Sequence, residues 1–306
     1  MIYVLVLVLS VLITIFIKRY AIIDTPNQRS SHFIPTPSGG GLAIVVSFFV
    51  GMFYLYFQNM IEQKLLFALL SSTPLIIISF LDDIFTLSSK LRFFVQVISV
   101  LSALYFVGSD NLLLNIIFAF CMLWLINLYN FLDGIDGYAV SEAIFVAFAA
   151  FMIFQNEIFL ILLVAAIGFL PFNWQRASIF MGDVGSTFLG FVFGVFALYY
   201  MNSSNDFVIW LILLAVFWFD ATFTLIKRFL NGERVTVAHK KHLFQRAVQL
   251  GFSHQKVTLY AFFINITAFI ALYLLKSSIF VYLVLISYII ILLILAKTID
   301  KRVSFK

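Results

Sequence analysis

The sequence predicts an all-α, polytopic membrane protein: one domain over residues 1–306, built of about eleven transmembrane helices, N-terminus outside and C-terminus in the cytoplasm. Three observations predict it. Of 306 residues, 63% are hydrophobic and 11% charged, against about 25% charged in a soluble domain. The apolar residues come in blocks of roughly bilayer-spanning length, without the alternation of a membrane barrel. And the basic residues fall almost wholly into every second connection.

The spans expected, in order, are residues 2–17, 41–57, 65–81, 93–107, 112–128, 138–154, 158–172, 186–201, 207–226, 257–275 and 279–296. The first is not a cleavable signal, because no basic residue precedes it, Lys18 and Arg19 follow it, and no small-residue site closes it. The second opens on Gly39-Gly40-Gly41. Pro74 inside the third predicts a kink, with neighbouring helices satisfying the freed carbonyl. The fourth is short and is expected to run into its flanks. The single Cys121 falls within the fifth, so no disulfide framework exists.

Connections after odd-numbered spans (residues 18–40, 82–92, 129–137, 173–185, 227–256 and the tail from 297) hold all 19 Lys and Arg except Lys64 and Lys276. Per residue they are about twice as basic as the others, which places them in the cytoplasm. The net charge of +5 then faces anionic headgroups of the bilayer. No basic-aromatic patch stands outside the loops, so nucleic acid is not a partner. The loop 227–256 has room for at most a short amphipathic helix.

Everything chemical lies in these inner loops. In the first, Asp24 to His32 precedes Pro35 and the three glycines; backbone amides at a glycine-opened helix N-terminus suit a phosphate, though a Pro/Gly turn would look the same. The second opens with Asp82-Asp83, two carboxylates at the unfavourable C-terminal end of a helix, to be offset by cations or a metal unless they are a solvated helix end. In the third, Asn127, Asn130, Asp133 and Asp136 are spaced by three, so a continuing helix would stack four oxygen-bearing side chains on one face, a set suited to a hard cation such as Mg²⁺. The fourth, Met181-Gly-Asp183-Val-Gly-Ser186, offers a metal ligand or an N-cap. The fifth carries His239, His242, Gln245 and Arg246; a basic membrane-facing surface or a zinc pair would also account for it, but the acids elsewhere favour oxygen-ligated magnesium. Carboxylates, cations and Gly-rich turns gathered on one face are what phosphoryl transfer needs.

Asn-x-x-Asn-x-x-Asp-Gly-Ile-Asp-Gly followed by Met-Gly-Asp-x-Gly-Ser, with residues 24–41, 80–96 and 239–246 in the same order, resembles the bacterial polyprenyl-phosphate N-acetylhexosamine-1-phosphate transferases of glycosyltransferase family 4. Its His-x-x-His-x-x-Gln-Arg looks most like the branch that initiates O-antigen or other surface polysaccharides. The resemblance implies transfer of a sugar-1-phosphate from a UDP-N-acetylhexosamine (GlcNAc, FucNAc or QuiNAc) to undecaprenyl phosphate, at the cytoplasmic face of the bacterial inner membrane, with release of UMP. It implies Mg²⁺, or Mn²⁺ in its place, on Asp183 with Asn130 or Asp133; catalytic roles for Asp82, Asp83, Asp133, Asp136, His239 and His242; and substrate contacts from Asn27, Arg29, His32, Gly39, Gly40, Lys90, Asn127, Gln245 and Arg246. Arg29 and the histidines would neutralise transferring charge, and a homodimer stays open. The phospho-N-acetylmuramoyl-pentapeptide transferases carry consecutive histidines where His239 and His242 stand apart, which argues against the peptidoglycan step. A transporter or a non-catalytic assembly component is the reading from another class. Few acids lie inside the spans, and Glu142 and Asp220 are only about 6–9 Å from the inner ends of theirs, which favours chemistry at the interface.

Overall fold

The computed structural model describes residues 1–26, 34–235, 237, 239–275, 278–303 and 305. Its helices are α1 (Ile2–Tyr20), α2 (Gly41–Phe57), α3 (Gln63–Leu70), α4 (Thr73–Phe85), α5 (Ser89–Val107), α6 (Leu112–Leu132), α7 (Tyr138–Phe154), α8 (Glu157–Asn173), α9 (Gly182–Tyr199), α10 (Ser204–Leu213), α11 (Ala215–Leu230), α12 (Leu243–Gln249), α13 (His254–Leu274) and α14 (Ser278–Arg302). One two-residue antiparallel bridge, Ile23–Asp24 with Thr36–Pro37, ties the first loop together.

Each expected span falls on a helix or a broken pair. Seven segments are long and apolar enough to cross a bilayer alone, and α10 with α11 makes an eighth. Helices α2, α7 and α8 are apolar but 17 residues each, about 25 Å, at the lower end of a spanning length. The fourth helix does run into its flank, starting at Ser89 behind a Ser88 cap. The short helix expected in the fifth loop is α12.

The third span is interrupted next to Pro74: α3 ends at Leu70 and α4 starts at Thr73 with Pro74 in its first turn, the two together making one apolar segment of 23 residues. Pro74 has no amide hydrogen for the Leu70 carbonyl, which accepts the Thr73 hydroxyl at 2.7 Å, so the freed group is satisfied locally rather than by a neighbouring helix. The Ser71 and Ser72 hydroxyls add second bonds to the Phe67 and Leu69 carbonyls at 2.9 and 2.7 Å. The ninth span turns by 78° between α10 and α11 without Pro or Gly. There the Trp218 indole donates to the Leu211 carbonyl at 2.7 Å, and a side chain inserted into the backbone ladder is a recognised cause of bending.

The centre of the bundle is α9, buried along nearly all its length, including Phe188, Phe191, Phe193 and Phe196. It packs against α6, α4 and α2, while α1, α2, α7 and α8 form the next layer. The outer faces stay apolar: Phe93, Phe94, Leu101 and Tyr105 of α5 and Ile286, Ile290 and Ile294 of α14 are exposed. In water such faces would aggregate; in a bilayer they are the lipid surface.

Helix α6 stops at Leu132, with Asp133 as its cap, and residues 133–137 turn through Gly137 at φ +73°. The continuous face of Asn127, Asn130, Asp133 and Asp136 expected from their spacing is thus cut after Asp133.

Candidate active site

A cavity of about 760 Å³ opens where the loops following odd-numbered spans meet. All five inner loops reach it, through Gly39, Asp83, Asp133, Asp183 and Gln245, and apolar residues of α1 (Phe16, Ile17) close one side.

One wall is acidic. Asp83 lies in the last turn of α4; its Oδ2 is buried with no hydrogen-bond partner among the described residues. Asp82, its neighbour, does not border the cavity. It accepts the Leu87 amide at 2.6 Å and Arg92 Nη1 at 2.7 Å. That same Nη1 reaches Asp183 Oδ2 at 3.2 Å, and Asn130 Nδ2 donates to Asp183 Oδ1 at 2.8 Å. Helices α4, α5, α6 and α9 thereby meet at Asp183. Burial pushes the Asp133 carboxyl up to about 8, helped by the charges of Asp183, Asp83 and Asp136.

Asp136 arrives by the turn. Its Oδ2 accepts the Ala177 amide at 3.3 Å and lies 3.2 Å from His254 Nδ1. Asn173, buried at the end of α8, holds the turn from below: it accepts the Gly137 amide at 3.1 Å and donates to the Ile179 carbonyl.

Other expected site residues stand elsewhere. Gly39 borders the cavity, but the amide cradle does not form as expected: Gly40 and Gly41 donate to the Phe180 and Met181 carbonyls at 2.9 and 2.8 Å. These glycines serve close approach, since a Cβ on Gly41 would sit 2.3 Å from the Gly185 Cα. Asn127 faces away, donating to Gln96 and the Leu123 carbonyl. Lys90 is exposed and off the cavity lining. Of the fifth-loop motif, Gln245 borders the cavity and its Oε1 accepts the His242 amide. His242 is buried against Asp220, Phe131 and Phe244. His239 packs on His242 and does not border the cavity, and burial, with the charges of His242 and Arg228, lowers its pKa to about 4. Arg246, 1% exposed, binds Asp300 and the Val303 carbonyl of the C-terminal segment. Asn27, Arg29 and His32 lie outside the described residues.

Sequence reasoning missed His254, Asn173 and Asp300, and named Asp220 only for its place near the inner end of its span. Asp220 caps α12 by accepting the amides of Leu243 and Phe244, and Glu142 accepts Asn265 Nδ2. Neither acid borders the cavity, so the acids inside the bundle brace helices rather than line a path. For His254 a signal existed: it is a fourth histidine at the end of the fifth loop, outside any motif.

Among the described residues no three of His, Cys, Asp or Glu already form a metal-binding group, because Asp183 is turned to Asn130 and Arg92. The donor set still fits a hard divalent cation. All the candidates are oxygen donors, Asp83 Oδ2 is orphaned, and Asp133 is disfavoured as an anion by its acidic neighbours.

The fold and this site define a polytopic membrane enzyme with an anionic, cation-ready cavity at one end of its helices. Residues 65–201 match glycosyl transferase family 4. Similar proteins include the probable undecaprenyl-phosphate N-acetylglucosaminyl 1-phosphate transferase of Bacillus subtilis, 28% identical over 87% of this chain and 82% of that protein. The undecaprenyl-phosphate alpha-N-acetylglucosaminyl 1-phosphate transferase of Thermotoga maritima is 25% identical over 78% of each. A phospho-N-acetylmuramoyl-pentapeptide-transferase of Halalkalibacterium halodurans is 31% identical but covers 51% of this chain. Residues 65–201 thus form a glycosyl transferase family 4 domain, and most of the chain is similar to polyprenyl-phosphate N-acetylglucosamine-1-phosphate transferases.

Proposed function

We propose that the protein transfers an N-acetylhexosamine-1-phosphate, GlcNAc-1-phosphate in the first instance, from its UDP-sugar to undecaprenyl phosphate. UMP is released, and a surface polysaccharide such as an O-antigen is begun. The observation that carries the reading is the convergence of five inner loops on one cavity with Asp83, Asn130, Asp133 and Asp183 along a single wall. The names of the relatives above support GlcNAc over other sugars. The basic loops around the cavity support a cytoplasmic-face site in the inner membrane.

Both reactants are anions and repel. An oxygen of the acceptor phosphate attacks the phosphorus that bears the sugar. The bond from that phosphorus to the bridging oxygen breaks, and UMP leaves with the electron pair. Asp83, with its unpaired oxygen, accepts a proton from the acceptor phosphate and keeps it fully ionised. Arg92 holds Asp82 and Asp183 in register, and Asn130 fixes the other oxygen of Asp183. Mg²⁺, or Mn²⁺, on Asp183 with Asn130 or Asp133 would supply the positive charge that screens the diphosphate. For the prenyl chain, an apolar groove of about 280 Å³ lies between α6, α9, α10 and α11, bordered by Phe118, Leu125 and Trp218. Leu125 is about 7.5 Å along α6 from Asn130.

The test is UMP release by purified protein from UDP-GlcNAc, UDP-FucNAc and UDP-QuiNAc with undecaprenyl phosphate, the lipid product being identified by mass. Product from UDP-GlcNAc is expected. UMP without a lipid-linked sugar phosphate would refute the reaction.

A further inference from the structure

We infer that His254, the first residue of α13, binds the UDP-sugar donor and is oriented for it by Asp136. The assignment rests on the reaction proposed above. It concerns a residue outside the recognised motifs and outside the segment matched to the family.

Asp136 is gripped through backbone and side chain alike. Its amide donates to His254 Nδ1 at 3.3 Å, its carbonyl accepts the Thr258 hydroxyl at 3.4 Å, and its Oδ2 accepts the Ala177 amide. His254 and Thr258 are one helical turn apart on α13. Two turns further on, Asn265 donates to Glu142 of α7 at 2.5 Å and accepts from the Tyr288 hydroxyl at 2.6 Å. Helix α13 is therefore fastened to the turn 133–137 and to the helix that follows it, and the His254 ring is fixed relative to Asp136.

What the ring offers follows from what holds it. Nδ1 lies between the Asp136 amide, at 3.3 Å, and the Asp136 Oδ2, at 3.2 Å, so both of its contacts are to Asp136 and Nε2 is the ring nitrogen left for a ligand. Nε2 has no protein partner among the described residues and is not sealed from the cavity, which the ring borders. An imidazole nitrogen facing a cavity, with its ring fixed through the other nitrogen, is a hydrogen-bonding group held ready for a ligand. The acidic wall across the cavity suits the cation and the phosphates. The stretch with His254, Asp136 and Asn173 has already committed its carboxylate and its amide side chain to the backbone of residues 137–179. The free polar group there is Nε2, matched to a hydrogen-bonding group of the donor substrate.

Two isosteres separate a ligand contact from an internal brace. Asn places its amide near Nδ1 and keeps the tie to Asp136; Gln places its amide group near Nε2 and keeps the contact to the ligand. Loss of one such hydrogen bond should raise KM for UDP-GlcNAc about tenfold in His254→Ala and His254→Asn. In both, kcat is expected to stay within about threefold. UDP-GlcNAc binding by calorimetry should weaken in parallel, and His254→Gln should recover most of the loss. UMP binding divides the two halves of the donor: weakening for UMP as well assigns the contact to the nucleotide, weakening for UDP-GlcNAc alone to the sugar. Wild-type KM and binding in His254→Asn, with His254→Gln as poor as Ala, would make His254 a brace and overturn the assignment. So would wild-type behaviour in all three. A wild-type protein that neither binds UDP-GlcNAc nor releases UMP would instead bring down the reaction itself, and this assignment with it.

Discussion

The carboxylates of Asp82 and Asp83 leave α4 about 100° apart around its axis, so adjacency in sequence does not give them one role. Asp82 is spent on the Leu87 amide and Arg92; Asp83 keeps a buried oxygen without a partner. Asp83→Asn should lower kcat by about 10²–10⁴, the usual worth of a positioned base. Asp82→Asn should act through position, lowering thermal stability together with rate. Equal kinetic losses with unchanged stability in both would refute the division. Asp183→Asn should abolish turnover, and a chelator should do the same to the wild type until Mg²⁺ is restored; activity that survives both removes the metal role. His239 gives a pH signature. Its folded pKa of about 4 lies below the ordinary 6.5, so the unfolded chain takes the proton first. The stability this residue contributes is complete above pH 6.5 and is lost progressively as pH falls towards 4. The unfolding temperature should fall over that window, and His239→Gln should flatten the slope.

At the scale of elements, the site depends on how closely α2 and α9 start. Gly41 and Gly185 face each other with no room for a methyl group: a Cβ on Gly185 would meet the Met181 side chain at 2.3 Å and the Gly41 Cα at 2.7 Å. Gly41→Ala should cost about 1–3 kcal/mol of stability. Because Asp183 sits two residues before Gly185, activity should fall further than stability alone explains. Unfolding and initial rates measured on one preparation would check this. Spans and inner loops were legible in the sequence because apolar run length and loop charge are local properties. So was the gathering of Asp83, Asn130, Asp133 and Asp183. What sequence could not separate was chemistry from architecture among polar residues of the same type. His242 read as catalytic and Arg246 as a substrate ligand, yet in the fold they brace α12 and the C-terminal segment through Asp220 and Asp300, whose partnership with them spans 22 and 54 positions. The amides of Gly40 and Gly41 look available for phosphate until the Phe180 and Met181 carbonyls are seen to accept them. His254 carried no motif, and only the packing of α13 against α7 brings it to Asp136.

For the molecule as a whole, chemistry and charge share one end. Arg246 ties the C-terminal segment into this end through Asp300, which also binds Lys227; the Lys227 and Lys241 ammonium groups and the Arg246 guanidinium lie 4.3, 5.2 and 5.2 Å from the Phe305 ring. Cutting the chain before Asp300 would strand a guanidinium that is 1% exposed, and breaking such a buried pair costs of the order of 3 kcal/mol. The proposed reaction requires the cationic end and the donor nucleotide on the cytoplasmic side, and α5 offers a direct test of that orientation. This helix runs from Ser89 to Val107, about 28 Å, close to the thickness of the hydrocarbon core. Its two flanks are exposed, Lys90 at the cavity end and Asp110 just past the other. Cys121, within the neighbouring α6, is first replaced by Ser to remove the native thiol. In that background a membrane-impermeant thiol reagent on spheroplasts should label Asp110→Cys and leave Lys90→Cys untouched, whereas permeabilised membranes should label both. Labelling of Lys90→Cys alone in sealed spheroplasts would turn the protein over. The Asp83–Asp183 wall would then face away from the nucleotide pool, and a UDP-sugar could not be its donor.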